Sequence, residues 1–519
     1  MAFCVEKVTQ FTRRFGAVGL CVLLILTSGQ VHAVESRKVE KMIEATLPEE
    51  EQKAAAREKQ KTLDEGKRLY NRFCFHCHGR NGRGDGLASH YLFPAPRDLS
   101  RGIFKFHSTQ SNSLPVDEDL SRTIRRGVPG TVMPTWGKVL GEEEIQSLVV
   151  YIKTFSERFE QEIPDYQIEV DLEPPFDSIS IPLGKELYRQ LRCSRCHGDE
   201  GERTGSLGKN SNDIWGNTSF VFDLRRPELY KTGASSDDMY RMLMAGIGGT
   251  PMNSYDYLSA DERWHLIHYL QSQFSRQTPL SSQTNDVLVS VPIPGPVGLT
   301  LEDSVWEHAP ALQVQLDSVK ARERPIHSMT VQSVHDGQRI AFRLQWKDPV
   351  PDGASNVSSY YLDGVAIQFA LQPGKAYDGP FFGMGEREKP VNLWHWKADS
   401  TQKIHGPPVN KDHDSPVQKA FTHLSLNPFN ESPVEELNAW GFGSLAVQSM
   451  ENQQVSGNGF WKDGMWTVVL VREFITPSKQ DVQFSGPDPV LLAFAVWDGA
   501  SRDKNANKMV SFWKTLTLK

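Results

Sequence analysis

The sequence predicts a multidomain α plus β protein: two all-α units of one fold, followed by an antiparallel β-sandwich. Three observations carry this expectation. Cys74-Phe75-His76-Cys77-His78 and Cys193-Ser194-Arg195-Cys196-His197 repeat one pattern 119 residues apart. The segments that follow them match at the same spacing. Beyond residue 300 the composition changes: nine of the 12 tryptophans lie there, no cysteine does, and short β-rich runs recur between turn residues. With 39% hydrophobic and 23% charged residues, the 519-residue chain falls in the globular class. Its net charge of −7 argues against nucleic acid as a partner, which favours a basic surface.

Residues 1–33 read as a signal peptide. Arg13 and Arg14 precede the apolar stretch from Phe15 to Leu26, and Val31-His32-Ala33 is a small-residue cleavage site. The stretch is short for a membrane span, and no apolar run of about 18 residues follows it. Export places the protein in the periplasm or on the outer face of the cytoplasmic membrane, touching the membrane only through an acceptor. Residues 34–60, rich in Ala, Glu and Lys, read as a charged helical tether. The first α unit spans 61–158. A linker at 159–182 with Pro164, Pro174, Pro175 and Pro182 leads to the second unit, 183–276. Residues 277–300, with Pro292, Pro294, Gly295 and Pro296, read as a second linker, and 301–519 as the sandwich.

C-x-x-C-H is the attachment motif of c-type haem. The two thiols add across the haem vinyl groups, and the adjacent imidazole reaches the iron from one face. A single zinc site built from Cys74, Cys77, Cys193 and Cys196 would need pairs much closer in sequence, and gives no reason for His78 and His197. The internal repeat locates the opposite ligand. Residues 118–133 match 237–252 without a gap, six of 16 positions being identical, and both segments end in methionine: Met133 and Met252. A thioether opposite an imidazole makes a six-coordinate haem suited to electron transfer. Met133 is preferred to His107, and Met252 to His265 and His268, which read as faces of a packed helix. Gly66–Tyr70 and Gly184–Tyr188 lead into the motifs as short helices. Gly141–Phe155 and Ser259–Phe274 close the units, with apolar stripes at Ile145, Leu148, Val149 and Ile152, and at Trp264, Ile267 and Leu270. Over about residues 60–275 these units resemble class I cytochrome c domains, which implies two covalent haem c groups.

The third region predicts strands over Ile340–Trp346, Val365–Phe369, Trp466–Val471, Val490–Trp497 and Val510–Leu518. Its blocks Trp306-Glu307-His308-Ala309, Arg343 to Asp348, Phe382-Gly383-Met384-Gly385, Val391 to Lys397 and Phe460 to Trp466, followed by Arg472, resemble the haem-binding domain of ethylbenzene dehydrogenase gamma subunits. The resemblance implies a β-sandwich holding one non-covalent haem b between a methionine and a lysine. Met384 matches the methionine. Lys462 is the candidate lysine and Lys397 the second; Asn458 stands where the family can place a lysine. His395 reads as structural. A ligating lysine must be neutral, so its site must be buried. The resemblance further implies a gamma subunit, nitrite oxidoreductase-like or related, passing electrons between iron–sulfur and molybdopterin subunits and other cytochromes. Two rivals stand beside this electron-transfer reading. One is a dihaem cytochrome fused to a carbohydrate- or protein-binding sandwich, with Trp394, Trp396 or Trp440 as stacking platforms. The other is a haem enzyme such as a dihaem peroxidase, which paired Met133 and Met252 disfavour. No catalytic residues are assigned.

Overall fold

The computed structural model describes residues 48–208, 211–219, 221–274, 286–299, 303–320, 325–353, 361–372, 374–398, 433–486 and 488–519. The expected export segment and residues 34–47 of the tether lie outside them. The first α unit contains α1 (Glu49–Phe73), α2 (Phe75–His78), α3 (Asp117–Arg126) and α4 (Glu142–Lys153). The second contains α5 (Ser180–Gln190), α6 (Ser194–His197), α7 (Ser236–Ala245) and α8 (Ala260–Ser272). The last 12 tether residues are therefore the solvated first turns of α1, which runs unbroken through residue 60 into the first Cys motif.

The duplication extends to individual contacts. A Cβ on Gly66 would lie 2.0 Å from the Ser147 carbonyl oxygen, and one on Gly184 1.8 Å from that of His265. Only glycine lets α1 cross α4, and α5 cross α8, this closely. The predicted stripes of α4 and α8 are buried against these crossings. His265 and His268 both meet Ser180 Oγ, at 2.7 and 2.6 Å, which fixes them as helix-packing residues. α3 and α7 end at Gly127 and Gly246, with φ of 67 and 69°. The helix before each motif repeats at a spacing of 118 and the motif itself at 119. Arg192, at φ 59°, is the extra residue in the second unit.

Among its described residues the third region has fourteen strands: β1 (Val287–Pro292), β2 (Leu312–Gln315), β3 (Asp317–Ser318), β4 (Ser328–His335), β5 (Arg339–Lys347), β6 (Gly364–Ala370), β7 (Val391–Lys397), β8 (Val434–Ala439), β9 (Ala446–Val447), β10 (Ser456–Lys462), β11 (Met465–Glu473), β12 (Val490–Trp497), β13 (Met509–Val510) and β14 (Lys514–Leu518). They pair in the order β10-β11-β5-β4-β1-β14-β12-β6-β7-β8-β9, with β13 on β12 and β3, and β2 on β4. The sheet folds over so that its two halves face each other. Trp346 on β5 and Trp466 on β11 meet Trp396 on β7 at ring distances of 6.4 and 5.2 Å. Phe342, Phe369, Trp394 and Phe484 extend this core.

Two expectations are corrected. β1 lies inside the segment expected to be the second linker. It pairs in parallel with both β14 and β4, in an otherwise antiparallel sheet. Its five residues Val287 to Val291 are mostly β-branched, and the prolines that suggested a linker begin only at its end. The run 510–518 is two strands, because Ser511 Oγ takes the Phe494 N–H at 2.9 Å in place of a ladder carbonyl. Trp394 and Trp396 are fully buried, so the sugar-stacking reading loses two of its three platforms, while Trp440 is 45% exposed.

Arg472 on β11 holds the sandwich interior. It is 2% exposed, lies 3.1 Å from Glu436 and 3.9 Å from Asp481, donates to the Val482 carbonyl, and stacks on Trp394 at 4.9 Å. Arg472→Ala would leave two buried carboxylates uncompensated. We expect a loss of about 3–5 kcal/mol, measured by urea unfolding.

The first α unit lies against both other parts. Arg72 donates to the Tyr377 and Gly379 carbonyls at 2.7 and 3.1 Å, and Trp136 meets Phe512 at 5.5 Å. On its other side Arg122 pairs with Asp238 at 3.2 Å, and Arg97 stacks on Trp215 at 4.0 Å.

Candidate functional site

One cavity of about 400 Å³ runs through both α units. Cys74, Cys77, His78 and Met133 line its first part, and Cys193, Cys196, His197 and Met252 its second. All eight residues expected to hold haem c therefore face a single space. The short helices α2 and α6 fix each Cys pair and its histidine. Tyr70 and Tyr188 brace their ends by donating to the Gly79 and Gly198 carbonyls, both at 2.7 Å. The two methionine loops are superposable in their bonds. Thr131 and Thr250 donate to the Val128 and Ile247 carbonyls at 2.7 and 2.8 Å, and each Oγ1 accepts the following methionine N–H at 3.2 Å. His107 takes no part: it is buried elsewhere, against Thr109 at 3.0 Å.

The surroundings fit a covalently held porphyrin. His78 Nδ1–H donates to the Arg97 carbonyl at 3.2 Å, which leaves Nε2 free as a metal ligand. His197 Nδ1 is buried with no such partner among the described residues. Burial lowers the pKa of both imidazoles, keeping them neutral and able to ligate. The cavity is also lined by three half-buried cations, Arg97, Lys105 and Lys231. Arg97 Nε and Nη2 have no hydrogen-bond partner among the described residues. Burial brings Arg97 down to about 10, and Lys105 and Lys231 to about 8 each. Lys231 donates to the Pro129 carbonyl, and the carboxylates of a porphyrin would supply further counter-charge for cations lining a hydrophobic slot.

A second cavity, of about 1110 Å³, lies on the sandwich face that meets the first α unit. Met384, Lys397, His395, Glu435 and Lys508 are among its walls. Met384 has φ 76°, a costly conformation for a side-chain-bearing residue, and sits in the turn between two glycines that its sequence block predicted. Lys508 is half-buried beneath the Trp497 ring at 5.0 Å, with Nζ 3.5 Å from the Asn505 carbonyl, and desolvation lowers its pKa to about 8. Lys397 is engaged with Glu435 at 2.7 Å. His395 lies beside the same carboxylate and stacks near Trp497 at 4.6 Å.

Lys462 is corrected as a ligand candidate. It is exposed at the end of β10, next to the Asp463-Gly464 turn, and lies outside the cavity. Asn458 on the same edge strand is exposed too. Lys508, which is not among the lysines the sequence singles out, lines the cavity. It sits outside every tryptophan block, and its burial comes from the β12–β13 fold-back.

The two cavities share walls at Cys77, Leu92, Val132, Phe381 and Phe382. His76, the variable residue inside the first motif, stacks on Phe381 at 4.2 Å and 25°. Phe381 meets Phe382 at 4.8 Å, two residues before Met384. Three compartments thus adjoin in series: second α unit, first α unit, sandwich.

Comparison with known proteins follows the same division. Residues 303–508 match the ethylbenzene dehydrogenase family, 61–152 the family of cbb3-type cytochrome c oxidase subunit III, and 181–274 cytochrome c. A Haloferax mediterranei protein named as a respiratory nitrate reductase heme subunit is 27% identical over 213 residues, 40% of this chain. The chain spans 64% of that relative's length. The dimethylsulfide dehydrogenase subunit gamma of Rhodovulum sulfidophilum is 27% identical over 227 residues, 40% of this chain and 71% of its own. A solved chain of a Kuenenia stuttgartiensis reducing HAO-like protein complex is 41% identical, covering 41% of this chain and 96% of its own at a TM-score of 0.40. Among the described residues, no helix is long and apolar enough to cross a membrane.

Proposed function

Residues 303–508 belong to the ethylbenzene dehydrogenase family and residues 61–152 and 181–274 are cytochrome c domains; from that premise we propose that the chain is a three-haem electron-transfer subunit of gamma type. It relays electrons between a molybdopterin/iron–sulfur oxidoreductase and a cytochrome or membrane acceptor outside the cytoplasm. The observation that carries the proposal is the serial arrangement of cavities sharing the Cys77 and Phe381 wall. When bound, the haems supply the redox-active iron. The chain's own part is to hold, orient and insulate them.

Cys74 and Cys77 with His78 and Met133 hold the first haem c. Cys193 and Cys196 with His197 and Met252 hold the second. Arg97, Lys105 and Lys231 receive the buried carboxylates. Met384 and Lys508 hold the non-covalent haem b in the larger cavity, with Lys508 replacing Lys462. His76, Phe381 and Phe382 keep water from the space between the first haem c and the sandwich cavity. Met133 and Met252, at the same register in both α units, would occupy the position a peroxide needs. The purified full chain should therefore accept electrons from dithionite and pass them to an oxidised cytochrome, with its absorption spectrum unchanged by hydrogen peroxide in the absence of donor. Peroxide turnover would support the haem-enzyme reading instead.

Lys508 gives the proposal a pH dependence. Its ordinary value is 10.5, and burial lowers it to about 8 in the fold. The unfolded chain binds the proton more tightly, so this group's contribution to apoprotein stability rises with pH between those values. The amine must be neutral to bind iron. Below pH 8, affinity for the extractable haem is expected to fall by up to about tenfold per pH unit. Haem transfer to an excess of scavenging apoprotein measures this. A rate unchanged from pH 9 to 6 would remove Lys508 as the ligand.

A further inference from the structure

Three buried aspartates at one end of the sandwich serve no part of this site. Asp348 follows β5, Asp363 immediately precedes β6, and Asp498 follows β12. They are 2, 0 and 8% exposed, and carboxylate oxygens of all three lie within 4.8 Å of one another. The charged groups acting on Asp348 are further carboxylates, Asp498 and Asp352, and the one acting on Asp363 is Asp348.

A second observation points to a ligand. Asp348 Oδ2 and Asp352 Oδ2 are buried with no hydrogen-bond partner among the described residues. Asp363 is already oriented: Oδ1 accepts from Gly499 N at 2.8 Å, and Oδ2 from Asp352 N at 2.6 Å and Trp466 Nε1 at 2.9 Å. Asp498 Oδ2 accepts from Ser501 Oγ at 2.6 Å. A proton on Asp363 would compete for oxygens that N–H donors occupy.

We propose that Asp348, Asp363 and Asp498, completed by Asp352, bind one calcium ion. The donors are oxygen only, which selects a hard cation. Convergent protein carboxylates suit calcium better than magnesium, which keeps most of its waters. The ion has a structural consequence. Asp498 and Gly499 begin the segment that ends at Lys508, and Asp503, Lys504 and Asn505 within it line the larger cavity. Calcium would pin the root of the loop that presents Lys508.

The test uses the full chain, matured with haem and desalted without chelator. Elemental analysis by mass spectrometry is expected to find one calcium per chain. EGTA should remove it and lower the unfolding temperature by several degrees, reversed by calcium but not by equal magnesium. Asp348→Asn and Asp498→Asn should each lose the calcium and the sensitivity to EGTA while keeping both covalent haems. If one variant fails to fold, the other carries the comparison. A wild-type chain without calcium, with one unfolding temperature in EGTA and in calcium, would overturn the proposal. So would an Asp348→Asn variant as stable as wild type, the result expected of a proton shared between Asp348 and Asp363.

Discussion

Lys508→Ala is expected to strip the extractable haem from the protein while leaving both covalent haems attached. Lys508 lines the larger cavity with its pKa already lowered to about 8, so its amine gives up the proton more readily than an ordinary surface lysine. Removing it leaves Met384 as the one ligand of the pair. Losing one coordinate bond in a non-covalent site should weaken haem retention by at least about tenfold, or about 1.4 kcal/mol, and more where the cavity was shaped around the ligated plane. Lys462→Ala is the control. That side chain is exposed on an edge strand, so its truncation should leave haem content unchanged. Acid-acetone extraction of the three proteins reads the result. Full extractable haem in Lys508→Ala, or its loss in Lys462→Ala, would reverse the assignment.

The second large effect is an asymmetry between the two α units. Cys74→Ser combined with Cys77→Ser should abolish the first covalent haem and also reduce the extractable one. Cys77 lines both cavities, and the His76–Phe381 stack joins the first motif to the loop that carries Met384. Cys193→Ser combined with Cys196→Ser should abolish the second covalent haem and spare the extractable one, because those cysteines line the smaller cavity alone. Haem staining after denaturing electrophoresis counts the covalent groups, and extraction counts the other. Equal effects of the two double variants on extractable haem would contradict the serial arrangement.

These residues differ in how far the sequence exposes them. The thiols, histidines and methionines of the α units were legible because their chemistry demands fixed spacing and the chain contains that spacing twice. The repeat even located Met133 and Met252 across a loop with no periodicity, and the identical Thr131 and Thr250 bonds explain why the register is kept. Met384 was legible from its glycine-flanked turn through family resemblance. Lys508 was not, because nothing local distinguishes a lysine that tertiary packing buries from one that packing leaves out. Arg97, Lys105 and Lys231 were missed for the same reason: they come from loops of two units and meet only when the units dock. The interface residues Tyr377, Phe381 and Phe512 carry no one-dimensional signal, since each reads as an ordinary aromatic of a β-rich region. β1 was misplaced because its terminal prolines were read as a boundary when they only end a strand.

The proposed function requires one chain to hold two covalent haems and one non-covalent haem in adjoining compartments. The most direct measurement is haem stoichiometry of the full chain, purified from a host that matures c-type cytochromes. Acidified-acetone extraction would be followed by pyridine haemochrome spectra of both fractions. The expected result is two covalent c-type haems and one extractable b-type haem per chain. Two covalent haems with nothing extractable, in folded protein supplied with haem, would contradict the role given to Met384, Lys508 and the larger cavity. Fewer than two covalent haems would contradict the account at its root.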